Sequence, residues 1–167
     1  MSKLIVNTIE AQTYKYDSDT TGMTIDNAGR IVTEDVRPAF KAWKNQNNWS
    51  LSAGDVFVFD STEFNVGSCY DTSNGKFTAP RDGIYHFNYY TIYNGNAGND
   101  WISLRKNGNR IKGGDLHFST PTGGNWDTIS SSTLLQLSSG DEITMVAGTA
   151  HTYHGNNWSE FSGFFVG

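Results

Sequence analysis

A single cysteine, Cys69, stands in a chain of 167 residues, so no internal disulfide can form and no cysteine framework can stand in for a packed core. That lone thiol reads as a small buried filler, because an unreactive cysteine behaves as a small hydrophobe. Proline is almost as scarce, at three residues, and the 18 glycines never settle into every third position, which excludes a Gly-x-y collagen stalk. No apolar run approaches the roughly 18 residues of a membrane-spanning helix, and the opening Met1–Asn7 lacks the roughly 7–15 residue apolar stretch of a secretory leader. The chain is therefore expected to be made and folded in a cytoplasm, without membrane insertion. Basic excess is missing too: 12 Lys and Arg stand against 17 Asp and Glu, spread along the chain, so the positive footprint that holds a phosphate backbone is absent and nucleic acid is excluded as a partner. Two Asn-Trp-Ser triplets, 48–50 and 157–159, match the glycosylation acceptor pattern, but an acceptor matters only in a secretory pathway, and they read as chance matches.

Rings and turns are what the chain has. Aromatics make up 14% of it, and since each ring can bury on the order of 150–250 Å², a ring-rich core is expected. Short β-branched or aromatic runs alternate with Gly, Asn and Ser, which favour tight turns and break helices, so the fold class is all-β. The expected strands are 39–43, 56–59, 83–93, 100–106, 115–118, 128–137, 142–147 and 160–166, with loops at 94–99, 119–125 and 148–157. Along the longest strand Tyr85, Phe87 and Tyr89 alternate with His86, Asn88 and Tyr90; period-2 geometry sends the first set into the core and leaves Tyr90 and Ile92 on an outer face that a subunit contact would cover. Residues 1–36 differ. Their apolar pieces, Leu4-Ile5-Val6, Met23-Thr24-Ile25 and Ile31-Val32, are too few for a core of their own, so this stretch reads as a short extended N-terminal arm for assembly or attachment, with the domain proper at 37–167.

Eight residues of that domain, Phe59, Asn65, Tyr70, Phe77, Gly83, Tyr85, Phe87 and Tyr89, fall at the spacing F-x5-N-x4-Y-x6-F-x5-G-x-Y-x-F-x-Y, which resembles the diagnostic pattern of the complement C1q globular-head family. Pro38-Ala39-Phe40-Lys41-Ala42 is similar to that family's first strand, Leu135-x-Leu137-x-x-Gly140-Asp141 to the turn before its penultimate strand, and Phe161-Ser162-Gly163-Phe164 to its last. The resemblance implies a ten-stranded antiparallel jelly-roll sandwich related to tumour necrosis factor, usually a homotrimer, used for recognition and not for catalysis. The eight positions specify a core and not a reactive site. The opening Met1-Ser2-Lys3-Leu4-Ile5-Val6-Asn7-Thr8-Ile9, followed by Met23-Thr24-Ile25-Asp26 and Gly29-Arg30-Ile31, resembles instead the start of virion fibre and appendage proteins of tailed phages, marine ones especially.

Reactive constellations are thin. His86, His117, His151 and His154 are the only histidines, and no spacing joins one to a nucleophile. His151 and His154 share an expected loop but lack a third ligand, and Asp100, Asp115, Asp127, Asp141 and Glu142 flank turns without calcium-loop spacing. The expectation is a non-enzyme with no metal and no cofactor. If the loops 94–99, 119–126 and 148–158 meet at the end opposite the arm, as the resemblance implies, they bring Trp126, Tyr153 and Trp158 together with amides such as Asn96 and Asn156. Rings and amides suit carbohydrate or protein epitopes; capping the end of the sandwich accounts for the two tryptophans equally well. The functional expectation is a homotrimeric phage virion protein, a fibre or capsid decoration assembled in the host cytoplasm. Residues 1–36 would anchor it to a capsid or tail scaffold, and the tip would attach to a host-surface glycan or protein. A capsid cement protein that binds no receptor, and a C1q-like lectin, are the alternatives.

Overall fold

The computed structural model describes residues 13–15, 21–25, 31–32, 37–94, 98–120 and 126–167. The chain divides into two units, Met1–Val36 and Arg37–Gly167. In the first, β1 (Thr13–Lys15), β2 (Thr21–Ile25) and β3 (Ile31–Val32) make a three-stranded antiparallel sheet with Ile25 opposite Ile31. Two of the apolar pieces expected in a plain extended arm thus lie on neighbouring strands. The third, Leu4-Ile5-Val6, lies outside the described residues.

The second unit runs β4 (Ala39–Trp43), β5 (Asn48–Leu51), β6 (Ser61–Val66), β7 (Tyr70–Asp71), β8 (Lys76–Thr78), β9 (Gly83–Asn94), β10 (Gly98–Lys106), β11 (Asn109–Thr120), β12 (Trp126–Leu137), β13 (Glu142–Ala147), β14 (His151–His154) and β15 (Glu160–Phe165). They form two antiparallel sheets, a five-stranded one in the order β11-β10-β13-β8-β7 and a seven-stranded one in the order β5-β14-β9-β15-β4-β6, with β12 along the other edge of β9. This is the jelly-roll that the sequence resemblance implies. The strand number exceeds ten because two strands are broken: β14 and β15 lie end to end along β9, and β4 and β5 lie end to end against them. The breaks, 44–47 and 155–159, face each other and interlock, Gly155 N–H donating to the Asn47 carbonyl at 2.8 Å and Asn156 N–H to the Lys44 carbonyl at 2.5 Å. A Cβ on Gly155 would come within 2.0 Å of the Gln46 carbonyl oxygen, so this paired bulge admits only glycine there.

Strand alternation packs the two inner faces together. On β9 the odd residues Tyr85, Phe87, Tyr89, Thr91 and Tyr93 are buried and the even ones turn outward. Phe40 lies at the centre, stacked on Tyr70 with ring centroids 4.7 Å apart and edge-on to Phe161 at 5.0 Å; Phe77 stands edge-on to Phe87 at 5.0 Å. Such offset and edge contacts add about 0.5–1.5 kcal/mol each beyond burial. The motif residues form one device. Asn65 donates its amide to the Tyr70 carbonyl at 2.7 Å and accepts the Tyr70 N–H at 3.0 Å, pairing like a strand across a turn that holds Gly67 and Ser68 at positive φ. The Tyr70 hydroxyl accepts the N–H of Phe59 at 3.3 Å, and the Tyr85 hydroxyl donates to the Arg81 carbonyl at 2.8 Å. Gly83, at φ +146°, has no room for a side chain because the Phe165 ring lies 2.4 Å from where its Cβ would be.

The expected strand 56–59 is reduced to a bridge, Val56 opposite Val146, with Phe57 N–H donating to the Met145 carbonyl at 2.9 Å. Conversely β5, β6, β7, β8 and β14 form where no strand was expected, and β11 extends well beyond 115–118.

Candidate binding site

Outward residues of the seven-stranded sheet fall into rows read directly from the register. Leu134, His86, Phe164, Ala39 and Val66 sit side by side across β12, β9, β15, β4 and β6, with Ile84 and Val166 in the row on one side and Phe64 at the β6 end of the row on the other. From β12 to β4 the next rows are polar: Ser132, Asn88, Ser162 and Lys41, with Phe64 beside Lys41 on β6, then Ser130, Tyr90 and Glu160. Beyond that belt stand Ile92 and His154, paired across β9 and β14, and Trp126 at the start of β12. At a rise of about 3.4 Å per residue, the His86 and Ile92 rows are about 20 Å apart. Two apolar regions therefore share one face without touching.

The second region forms a cleft of about 280 Å³ lined by Ile92, Trp126, His154 and Trp158. The chain break at 155–159 makes it: a single 3-10 turn, Asn156–Trp158, projects Trp158 from the sheet instead of continuing the strand. Asn156 holds that turn at φ +51°, its side-chain amide donating to Asn47 Oδ1. Buried Ser159 closes it, its hydroxyl donating to the His154 carbonyl and sharing a hydrogen bond of 2.6 Å with Thr91. The His154 ring stands between the two indoles, 5.0 Å from Trp126 and 6.0 Å from Trp158, centroid to centroid. Both tryptophans are about half exposed, at 43% and 49%.

Of the expected tip residues, Trp126 and Trp158 come together. Tyr153 does not join them: it is fully buried, edge-on to Phe57 at 4.6 Å, because residues 151–154 form a strand and its odd positions face the core. Asn156 lines a separate polar pocket with Lys41, Glu63, Tyr90 and Glu160 and acts chiefly as the brace of the turn. Asn96 lies outside the described residues. His154 and Ile92 belong to the site but were not expected there; reading 151–154 as a strand would have found the histidine, since it is the outward partner of Ile92.

The same alternation separates the two loop histidines. His151 turns inward, its Nε2 2.7 Å from Asp100 Oδ2 with both side chains almost fully buried, but out of line, so neither atom has a hydrogen-bond partner among the described residues. Asp100 thus departs from its expected place beside a turn. Tyr93, Phe118 and Tyr153 ring the pair. Burial, with the nearby Asp127 and Asp100 carboxylates, pushes the Tyr93 phenol up to about 12, and burial pushes Tyr153 higher still. Neither can exchange protons near neutrality. Burial also raises the Cys69 thiol to about 11, as suits a filler. Asp115 also departs from that expectation, lying inside β11 where it takes the Ser103 hydroxyl, whereas Asp141, at a turn, takes the Ser138 N–H at 2.7 Å and Glu142, at the start of β13, pairs with Lys76 at 2.8 Å. Among the described residues no group of three metal-ligating side chains converges.

Comparison with known proteins agrees with this architecture. The family described as C1q domain matches residues 39–166. The chain is 32% identical over 111 residues to mouse complement C1q tumor necrosis factor-related protein 3, covering 65% of this chain and 44% of the relative, and 31% identical over the same length to the human protein. It spans less than half the length of these relatives. Among solved structures, the globular domain of zebrafish complement 1qA superposes with a TM-score of 0.60 at 17% identity, covering 78% of this chain and 98% of that one. Eiger, a tumour necrosis factor from S. frugiperda, gives 0.63 at 10% identity, with coverage of 78% and 93%. With the family match running from the first strand of the sandwich to the last, through every residue of the Asn65–Tyr70 device, the chain belongs to the C1q-domain family.

Proposed function

We propose that this protein is a non-catalytic display head that assembles as a homotrimer through the outer face of its seven-stranded sheet. One observation carries the reading: six of the eight large hydrophobic side chains that stand exposed among the described residues, Phe64, Val66, Ile84, Leu134, Phe164 and Val166, gather at one end of that face. A contiguous exposed apolar patch marks an interaction surface, and the trimeric habit implied by the family resemblance gives it an occupant, a second copy of the chain. Sedimentation velocity tests it. The wild type should sediment as a trimer at micromolar concentration, and Leu134→Asp with Phe164→Asp should weaken association by roughly 100-fold or more, since each buries an unpaired charge. A wild-type monomer would overturn the proposal.

The finer reading is a virion appendage of a tailed phage, a fibre or capsid decoration held on its scaffold by residues 1–36, with the Trp126 end turned toward a host surface. The resemblance of Met1–Ile9, Met23–Asp26 and Gly29–Ile31 to virion proteins supports it. Deleting residues 1–36 should then abolish incorporation into particles; undiminished incorporation would sink it. A cement protein without a receptor would give no saturable signal on host envelopes.

A further inference from the structure

We propose that the Trp126–His154–Trp158 cleft binds a neutral pyranose sugar, an inference that rests on the reading of this end of the head as its recognition surface. The walls select the chemistry. Two half-exposed indoles flank an imidazole over an Ile92 floor in about 280 Å³, and no Asp, Glu, Lys or Arg lines the space. A charged ligand would lose hydration there without gaining a counter-ion. A pyranose has what the cleft lacks and needs: one face of C–H groups to lie on a flat ring, and a rim of hydroxyls for water or a polar side chain. His154 is the one polar side chain in the lining, and its Nδ1 is buried without a hydrogen-bond partner among the described residues, so the rings are what would hold the sugar. Indoles supply large contact area at low conformational cost.

The neighbouring pocket sharpens the choice. It is of similar size, about 280 Å³, but Lys41 there pairs with Glu63 at 2.8 Å and Glu160 at 3.6 Å, so its charges already answer one another. The aromatic cleft has no such internal partner. A second copy of the chain is a poorer occupant, since the polar rows of Asn88, Ser132, Ser162, Tyr90 and Ser130 separate the cleft from the apolar block by about 20 Å.

Saturation-transfer NMR on the full chain tests this with the methyl glycosides of glucose, galactose, mannose and N-acetylglucosamine, and with N-acetylneuraminic acid as the charged control. At least one neutral glycoside should show transfer with a Kd on the order of 1 mM, the range open to a small ligand in a shallow site. Trp126→Ala and Trp158→Ala, both half-exposed positions, should each keep the fold and weaken it by roughly tenfold; the charged control should show none. No transfer from any neutral glycoside, or transfer undiminished in both variants, overturns the proposal. So does loss of self-association in either variant, which would make the cleft a contact between copies. A sugar result that fails while the trimer persists leaves the display-head reading standing; a monomer that binds sugar does the reverse.

Discussion

The two sheets share one core but present opposite outer surfaces. On the five-stranded side, Lys76 pairs with Glu142 at 2.8 Å, Lys106 with Asp141 at 2.6 Å on the rim, and Arg110 with Asp115 at 3.5 Å. None of the eight exposed large hydrophobics belongs to that sheet. On the seven-stranded side those hydrophobics form two groups with a polar belt between them. Both inner faces are apolar and buried, so the difference between the outer surfaces is not one of core formation. One surface carries paired charges, and the other carries the contiguous exposed apolar patch that marks an interaction surface.

The largest effect should come from removing what the surfaces have in common. Phe87 projects from β9 between the sheets, 5.0 Å from Phe77 on the five-stranded side and 5.9 Å from Phe161 on the seven-stranded side. Phe87→Ala should cost about 3–5 kcal/mol of stability, read from the denaturation midpoint, because the lost burial is compounded by a cavity that strands on both sides cannot close. A loss under about 1 kcal/mol would mean that the sheets do not depend on this contact.

A smaller change should convert one surface toward the other. Lys76 and Glu142 are each about 40% exposed beside a groove of about 340 Å³ that Arg105 and Thr144 also line. Replacing both with leucine should shift stability by less than about 1 kcal/mol, as exposed pairs contribute little. Sedimentation should nevertheless show species larger than the wild type, since a new apolar patch outside the proposed interface makes contacts that do not close into a ring. If the double variant keeps the wild-type oligomeric size, charge on this sheet is not what keeps it free.

Much of the inner architecture was legible and much of the outer was not, for a physical reason. Alternation along β9 and the spacing from Phe59 to Tyr89 report directly on burial, so the core and the strands 39–43 and 142–147 could be read residue by residue. β6 hid because its large apolar residues, Phe64 and Val66, point out of the core, which erases the pattern that announces a strand. β14 hid because three of its four residues are polar and it stands between Gly148 and Gly155. Missing that strand misplaced Tyr153, since only strand parity distinguishes the inward tyrosine from the outward His154 next to it. The Asp100–His151 pair joins β10 to β14 across the fold and leaves no local trace at all.

The smallest effect concerns the acid limb of stability, and it too should divide the surfaces. Asp141 is held down to about 2 by the Lys106 ammonium, with the Ser138 N–H and the Asn107 amide adding to it. Its folded value lies below its ordinary one of 3.8, so its contribution is present above about pH 4 and is lost as pH falls through about 2. Asp71 is lowered as well, by the Ser73 hydroxyl first, and sits on β7, an edge strand of the same sheet. The melting temperature should therefore fall between pH 4 and pH 2, and Asp141→Asn should flatten part of that fall while lowering the neutral-pH value slightly. Neither residue touches the apolar block, so the variant should associate like the wild type at pH 7. An acid limb unchanged by the substitution would show that the Lys106–Asp141 contact, though 2.6 Å long, is too well screened by water to matter, and that the charged sheet contributes solubility and not stability.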